Sequence, residues 1–435
     1  TKRRIIMSID EQSINHQPSN QETSNQYDLI IFGATSFVGQ ILTTYMIEHL
    51  GTNGDISWAI AARSASKLSE LRDSYGDSAS QLPMIIADSQ DEASLQAMCN
   101  QTRVIISTVG PYALYGELLL KTCAETGTDY TDLTGEAQWI KQMQDKYQQT
   151  AKDSGARIVN SCGFDSIPSD MGVFKMQQQA NQQFGHPMPH AKLRVKAIKG
   201  GASGGTVASM IEALKAAKAD PKVRRQMGNP YILCGKDHQY QQKAASVKGP
   251  MFDKDFNAWI APFIMEAINS RIVLHSNALM DMAYGKDFTY DEGVLTGKGL
   301  KGRLAAITST AGFGALGLGL YITPIRKVLE KFVLPAPGEG PSPEAQLKGF
   351  FDVRIYGADN QGNNLSVKVT GDRDPGYGST AKMLAQAGLC LAMDIKKEDC
   401  AGGFLTPSTA MGDALIKRLE DHAGLTFTVL KKSNL

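Results

Sequence analysis

Tyr27-Asp-Leu-Ile-Ile-Phe32 runs without a break into Gly33-Ala-Thr-Ser-Phe-Val-Gly39 and then into Gln40-Ile-Leu-Thr-Thr-Tyr-Met-Ile-Glu-His-Leu50. The first piece is apolar and rich in β-formers, the pattern of a parallel strand buried on both faces. The last carries apolar residues at 41, 42, 45, 46 and 50, which fits a helix with one face on a sheet. A strand that bends at glycine straight into a helix aims free N–H groups and the positive end of the helix dipole at one point. Such a point suits a pyrophosphate.

The spacing is G-x-x-S-x-x-G, whereas the dinucleotide fingerprint is G-x-G-x-x-G. Gly33 supplies the tight turn and Gly39 the close packing of helix on strand. Ser36 occupies the place of the middle glycine, either as a tolerated small side chain or as a hydroxyl donor to phosphate. Thr35, Phe37 and Val38 complete the cradle.

The next strand, Ile56-Ser-Trp-Ala-Ile-Ala-Ala62, ends in Arg63-Ser64-Ala-Ser-Lys67. An acidic residue there would hold a free ribose 2′-hydroxyl, and an arginine accommodates a 2′-phosphate. Arg63 offers a planar fork, Lys67 adds a charge one turn on, and Ser64 lies between them. The bland alternative is that Arg63 only opens a solvated helix. NADP(H) is favoured over NAD(H).

At 435 residues the chain exceeds what one core usually supports, so two domains are expected. Lys+Arg 45 against Asp+Glu 44 gives no electrostatic case for nucleic acid. The six cysteines form no C-x-x-C pair and no zinc spacing, and read as reduced thiols of a cytoplasmic protein. His186 and His190 are separated by Pro187 and Pro189, which forbid the helix that would align them on a metal, so no metal is expected. Residues 1–26 are polar and read as a disordered lead-in, with Met7 a candidate start. Lys2-Arg3-Arg4-Ile-Ile-Met is too short an apolar stretch for a signal peptide.

Strand–helix alternation continues to residue 165. Pro83–Ala87 reads as a strand closing on Asp88, either an adenine contact or a turn residue, and Asp91 as the cap of helix Glu92–Cys99. Arg103–Val109, Thr128–Leu133 and Ala156–Ser161 are further strands, with helices Gly116–Thr126 and Glu136–Lys152 between them. Six strands joined this way make a doubly wound parallel sheet over 27–165, whose ligands sit outside the carboxyl ends of the strands. Val109, Gly110, Pro111 and Cys162 then count among the cofactor contacts. Tyr112, Glu136, Cys162 and Asp165 are the residues to weigh for chemistry.

Beyond 166 the pattern changes to alternating strands (191–198, 349–356, 365–371, 425–430) and helices (207–219, 379–393, 408–422). This predicts an α+β substrate and dimerisation domain with a mainly antiparallel sheet and helices on one face. Gly200–Thr206 lacks the Gly-Lys-Ser/Thr ending of a triphosphate loop and reads as a tight turn or a wall of the substrate site. From Leu304 to Ile325 no residue is charged, and basic residues follow at Arg326, Lys327 and Lys331. Three readings stay open there: a membrane-surface or lipid-contacting element, a buried helix or homodimer contact, and a single span. The first would place a cytoplasmic protein at the inner face of the plasma membrane.

With these stretches in hand, the sequence resembles the saccharopine dehydrogenase-like oxidoreductases, in particular the trans-acting enoyl reductase branch. The motifs that carry the resemblance are Gly33–Gly39, Ala62-Arg63, Ser107-Thr-Val-Gly-Pro-Tyr112, Tyr130-Thr-Asp-Leu-Thr-Gly-Glu136 and Cys162-Gly-Phe-Asp-Ser-Ile-Pro-Ser-Asp170. Gly204-Gly-Thr206, Asp374-Pro-Gly-Tyr-Gly378 and Gly402-Gly-Phe-Leu-Thr-Pro407 continue it toward the C-terminus. The resemblance implies a Rossmann NAD(P)-binding domain, a second domain of saccharopine-reductase type, and often lipid-linked substrates and membrane association. The family pattern usually has glycine where Ser36 stands.

No Tyr-x-x-x-Lys occurs in the chain, which removes the usual short-chain dehydrogenase acid. The expected reaction is reduction by NADPH of a C=C or C=O bond on an apolar, lipid-linked substrate. Tyr112 or Asp165 would supply the proton. The alternative for Tyr112 is a ring packed under the nicotinamide, for Asp165 a helix cap, and for Cys162 a small buried hydrophobe. Two other functions compete: a secondary-amine dehydrogenase of saccharopine type, drawing on Arg224, Arg225 and Arg271, and a non-catalytic NADP-binding sensor or lipid-surface protein.

Overall fold

The computed structural model describes residues 26–201, 204–335 and 338–430. The proposed N-terminal lead-in, Gln26 apart, lies outside the described residues. The first apolar runs become β1 (Tyr27–Phe32), β2 (Trp58–Ala62), β3 (Met84–Ile86), β4 (Thr102–Ser107), β5 (Asp129–Asp132) and β6 (Arg157–Val159). Between them lie α1 (Phe37–Leu50), α2 (Ala65–Ser74), α3 (Glu92–Cys99), α4 (Tyr112–Tyr115), α5 (Glu117–Thr126) and α6 (Ala137–Ser154). Val104, Ile105 and Ile106 of β4 are all fully buried, as expected of a central strand covered on both faces.

The rest of the chain contributes α7 (Ile167–Phe184), β7 (His190–Lys199), α8 (Gly204–Ala219), α9 (Pro221–Met227), β8 (Met251–Asp253), β9 (Ala258–Pro262), α10 (Glu266–Leu279) and β10 (Thr289–Gly297). It ends with α11 (Gly299–Tyr321), α12 (Thr323–Phe332), α13 (Pro343–Leu347), β11 (Phe350–Ala358), β12 (Asn364–Gly371), α14 (Thr380–Met393), β13 (Gly403–Leu405), α15 (Pro407–His422) and β14 (Leu425–Leu430).

The first sheet has the order β13-β6-β5-β4-β1-β2-β3, all parallel. Six strands of it are those expected, and the switch point lies between β1 and β4, beside the glycine turn. The seventh comes from the far end of the chain: Gly403, Phe404 and Leu405 pair with Arg157, Ile158 and Val159. Helix α14 also returns to this sheet and is buried on almost every side. Gly388 lets it approach β4 so closely that an added Cβ would stand 2.5 Å from Ile106 Cδ1. A helix apolar all round is the sequence mark of such a sandwiched position.

The second sheet has the order β14-β12-β11-β7-β10-β9-β8 and is antiparallel except for the pair β7–β10. Leu193, Val195, Val353, Ile355, Val367 and Val369 point to the face covered by α7, α10 and α15. On the other face Arg194 bonds Asp253 (2.7 Å) and Asp291 (2.6 Å). Sequence patterning leaves 251–297 unassigned, and the reason is visible in α10. Its residues Ile268–Asn277 are all buried, with Asn269, Arg271, His275 and Asn277 among them. The helix therefore shows no apolar stripe.

Candidate active site

Gly33 ends β1 at φ +90°, and an added Cβ would lie 2.6 Å from Val109 Cγ2 and 2.7 Å from Thr108 Oγ1. At Gly39 the same atom would meet the Gly33 carbonyl oxygen at 2.1 Å. Side chains and a positive φ at Gly33, and backbone at Gly39, leave room for glycine at both positions. Ser36 is the N-cap of α1: its Oγ accepts from Gly39 N–H (2.9 Å) and bonds Thr108 Oγ1 (3.0 Å). The hydroxyl weighed as a phosphate donor is spent inside the turn. The amides of Phe37 and Val38 meet no protein acceptor among the described residues, and Thr35–Val38 are half-buried. They form an open anion cradle at a helix N-terminus. The Phe37 ring packs edge-on against Tyr377 (5.2 Å), so the second half of the chain walls one side.

Arg63 follows β2 directly and is exposed, as is Lys67. Neither has an ion-pair partner among the described residues, although many other basic side chains do. Ser64 caps α2, accepting from Lys67 N–H (3.4 Å). Asp88 Oδ1 accepts from Gln90 N–H (3.0 Å), the turn role weighed for it, while Asp91 caps α3 through Ala93 N–H (3.2 Å).

At the far half of the rim, Val109-Gly110-Pro111 carries a cis Gly110–Pro111 bond into α4. Tyr112 is buried, and its hydroxyl donates to the Ser107 carbonyl (3.0 Å) and accepts from Leu133 N–H (3.4 Å). Burial, with Asp132 beside it, pushes the phenol well above its usual range. Glu136 accepts from the Tyr112 and Ala113 amides (2.9 Å each) and so clamps the start of α4. Cys162 is fully buried, its thiol turned to the Val159 carbonyl (3.4 Å), and burial raises its pKa strongly.

Asp132, which sequence reasoning did not single out, braces this half of the rim. It accepts from Ser161 N–H (2.9 Å), Thr134 N–H (3.1 Å), Asn160 Nδ2 (2.7 Å) and Tyr130 OH (3.0 Å). Burial pushes it up to about 6 despite these donors.

Asp165 stands differently. It is half-buried, and its carboxyl has no hydrogen-bond partner among the described residues. A Cβ added to Gly135 would lie 3.2 Å from Asp165 Oδ2 and 4.0 Å from Ile268 Cγ2, so the carboxyl faces the cleft between the end of β5 and α10. Desolvation first, and then the nearby Glu292 charge, push it up to about 7. Glu292 is fully buried and accepts from Tyr290 OH (2.6 Å), Ser169 Oγ (2.9 Å) and Asn269 Nδ2 (3.0 Å). Ser166 Oγ and Asn269 Oδ1 are buried without a partner among the described residues. Unspent polar atoms beside an unbonded acid are what a substrate site offers. Sequence reasoning did not single out Glu292; the one signal available was a charge at an inward position of β10, two residues after Tyr290.

Residues 29–159 match the model of the saccharopine dehydrogenase NADP-binding domain. Over 91% of its length the chain is 36% identical to a trans-acting enoyl reductase of Mycobacterium bovis, covering 96% of that protein. It is 39% identical, with the same coverages, to a Mycobacterium tuberculosis protein provisionally named as a trans-acting enoyl reductase. The chain belongs to the trans-acting enoyl reductase family. Among solved structures, apo saccharopine dehydrogenase (L-Glu forming) from Saccharomyces cerevisiae aligns over 93% of this chain and 99% of its own, at 13% identity and TM-score 0.47. Membership makes this family member an NADP-dependent oxidoreductase. The residues present fit that cofactor: Gly33–Gly39 leaves room and free amides for the pyrophosphate, and Arg63 with Lys67 leaves two unpaired cations for the 2′-phosphate.

Proposed function

We propose that the protein reduces the C=C bond of an α,β-unsaturated acyl group borne on an apolar, lipid-linked substrate. The observation that carries this reading is the free Asp165 carboxyl beside the end of β5, held near 7 with no hydrogen bond to satisfy it among the described residues. NADPH, when bound, supplies the hydride. Asp165 Oδ delivers the proton to the carbon next to the carbonyl, a general acid whose pKa lies near the working pH. The unspent Ser166 hydroxyl bonds the substrate carbonyl, where negative charge builds. Asp132 holds the Ser161 amide at the start of the loop that carries these groups, and Glu136 clamps the start of α4. Exposed Leu114 and Tyr115 on α4 offer an apolar wall next to the rim.

A dicarboxylate substrate of the saccharopine kind finds less support. Arg271 is turned to the Ala267 and Met227 carbonyls, and Arg224 and Arg225 lie on α9, which has no buried residue. The test is NADPH oxidation by the purified protein against long-chain enoyl thioesters and keto analogues, and NADP+ reduction against saccharopine. Turnover of the enoyl substrates, lost in Asp165→Asn with NADPH affinity retained, is the expected result. Turnover of saccharopine alone, or an undiminished Asp165→Asn enzyme, would refute it.

A further inference from the structure

The described residues include 22 exposed large hydrophobic side chains, and ten of them fall between Leu300 and Val333, nine on α11 and α12 and Val333 directly after. Helix α11 has 23 residues with a mean hydropathy of 1.4 in its most apolar window, and only 17% of that window is buried. Its buried residues lie at the two ends. Gly302 and Ala306 pack at the start, where Thr296 Oγ1 donates to the Gly302 carbonyl (2.9 Å). Gly319 and Leu320 pack at the finish, against Ile325 and Leu329 of α12 and Val207 and Ile211 of α8. Around Gly312, Gly314 and Gly317 nothing stands within 4 Å of an added Cβ. Among the described residues none from Thr308 to Leu318 is fully buried, only Thr310 and Leu316 are half-buried, and the helix has no distinct polar face.

We propose that α11 and α12 seat the protein on the surface of an anionic lipid bilayer, with the middle of α11 sunk in the acyl region. The two ends of α11 are pinned to the same folded body, whereas a crossing would part them by about 34 Å, one on each side. All backbone groups of a helix are satisfied internally, so burial in lipid costs it no hydrogen bond.

Charge selects the headgroups. Lys298, Lys301, Arg303, Arg326, Lys327 and Lys331 flank the apolar middle, against the single acid Glu330, in a chain whose net charge is only +1. Ile325, Val328 and Phe332 of α12 are exposed on one face, and Lys327 and Lys331 sit where they can reach phosphates. A second copy of this chain is a poorer occupant, because a two-fold contact would bring these basic ends against each other. Helix α8 links this platform to the rim, since Ser209 bonds Glu136 and α8 packs on α4.

The experiment is co-sedimentation of the full chain with phosphatidylglycerol or phosphatidylcholine vesicles, at low and high salt, with no cofactor or substrate present. It is thus independent of the reductase reading. Binding to the anionic vesicles, weakened by salt, is expected. Lys327→Gln with Lys331→Gln should weaken it about 25-fold, at roughly fivefold per basic residue. Phe313→Asp with Leu318→Asp should abolish it while NADPH affinity stays unchanged, which shows that the fold is intact. Absence of binding to phosphatidylglycerol at low salt would overturn the proposal. So would a soluble dimer that the Phe313→Asp, Leu318→Asp protein no longer forms.

Discussion

Replacing Arg63 by alanine should change which nicotinamide dinucleotide the protein prefers. The guanidinium is exposed and free of carboxylate partners among the described residues, so its charge is not spent inside the protein. A hydrogen bond to a charged group contributes roughly 1.5–3 kcal/mol, and at an exposed position the lower half of that range applies. That corresponds to about a 10- to 40-fold rise in Kd for NADPH. NADH lacks the 2′-phosphate, and its Kd should move by less than about twofold. Lys67→Ala, a turn further along, should add a few-fold more, and the salt dependence of NADPH binding should flatten in both variants. Fluorescence titration of both cofactors at two salt concentrations reads all of this. Equal weakening of NADH and NADPH, or an unchanged ratio, would show that Arg63 does not hold the phosphate and that the specificity argument fails.

Gly39→Ala sets a methyl 2.1 Å from the Gly33 carbonyl oxygen, so the turn must open. A loss of about 1–3 kcal/mol in stability is expected, together with disappearance of the NADPH-induced rise in Tm. Tyr112→Phe removes a hydroxyl already committed to the Ser107 carbonyl. Stability should fall by about 0.5–1.5 kcal/mol and kcat by less than about threefold, and a hundredfold loss of kcat would return the proton to Tyr112. Asp165 is pushed up to about 7 from 3.8, so the folded state keeps a proton that the unfolded chain releases. Its contribution to stability is full below about pH 4 and is lost as pH rises through 7. Asp165→Asn should therefore be the more stable protein above pH 7 and equal to the parent near pH 4 in denaturant titrations. In the parent, kcat/KM for reduction should fall above about pH 7, and a flat profile would contradict the assignment.

Where partners are near in sequence, the residues announced the structure. The turn Gly33–Gly39, the capping role of Asp91, and the six-strand alternation all follow from side chains acting within a few residues of themselves. The exposed place of Arg63 directly after β2 was legible for the same reason. The bracing carboxylates were harder to see. Glu292 lies 127 residues beyond Asp165, and nothing in the local pattern of β10 says which loop it faces. Helix α10 reads as polar because the partners that satisfy Asn269, Ser276 and Asn277 come from elsewhere in the chain.

By itself the sequence determined the doubly wound sheet, the dinucleotide turn and the preference for a 2′-phosphate, because each rests on local backbone geometry and on charge at a set position. Only the tertiary structure decided three other things. It closed the Rossmann sheet with Gly403–Leu405, a strand too short to show any periodicity. It spent the Ser36 and Tyr112 hydroxyls inside the scaffold while leaving Asp165 free. And it left α11 bare between two anchored ends. The physical reason is common to all three: a side chain's role depends on whether distant chain arrives to cover or bond it, and hydrophobicity alone does not encode that arrival.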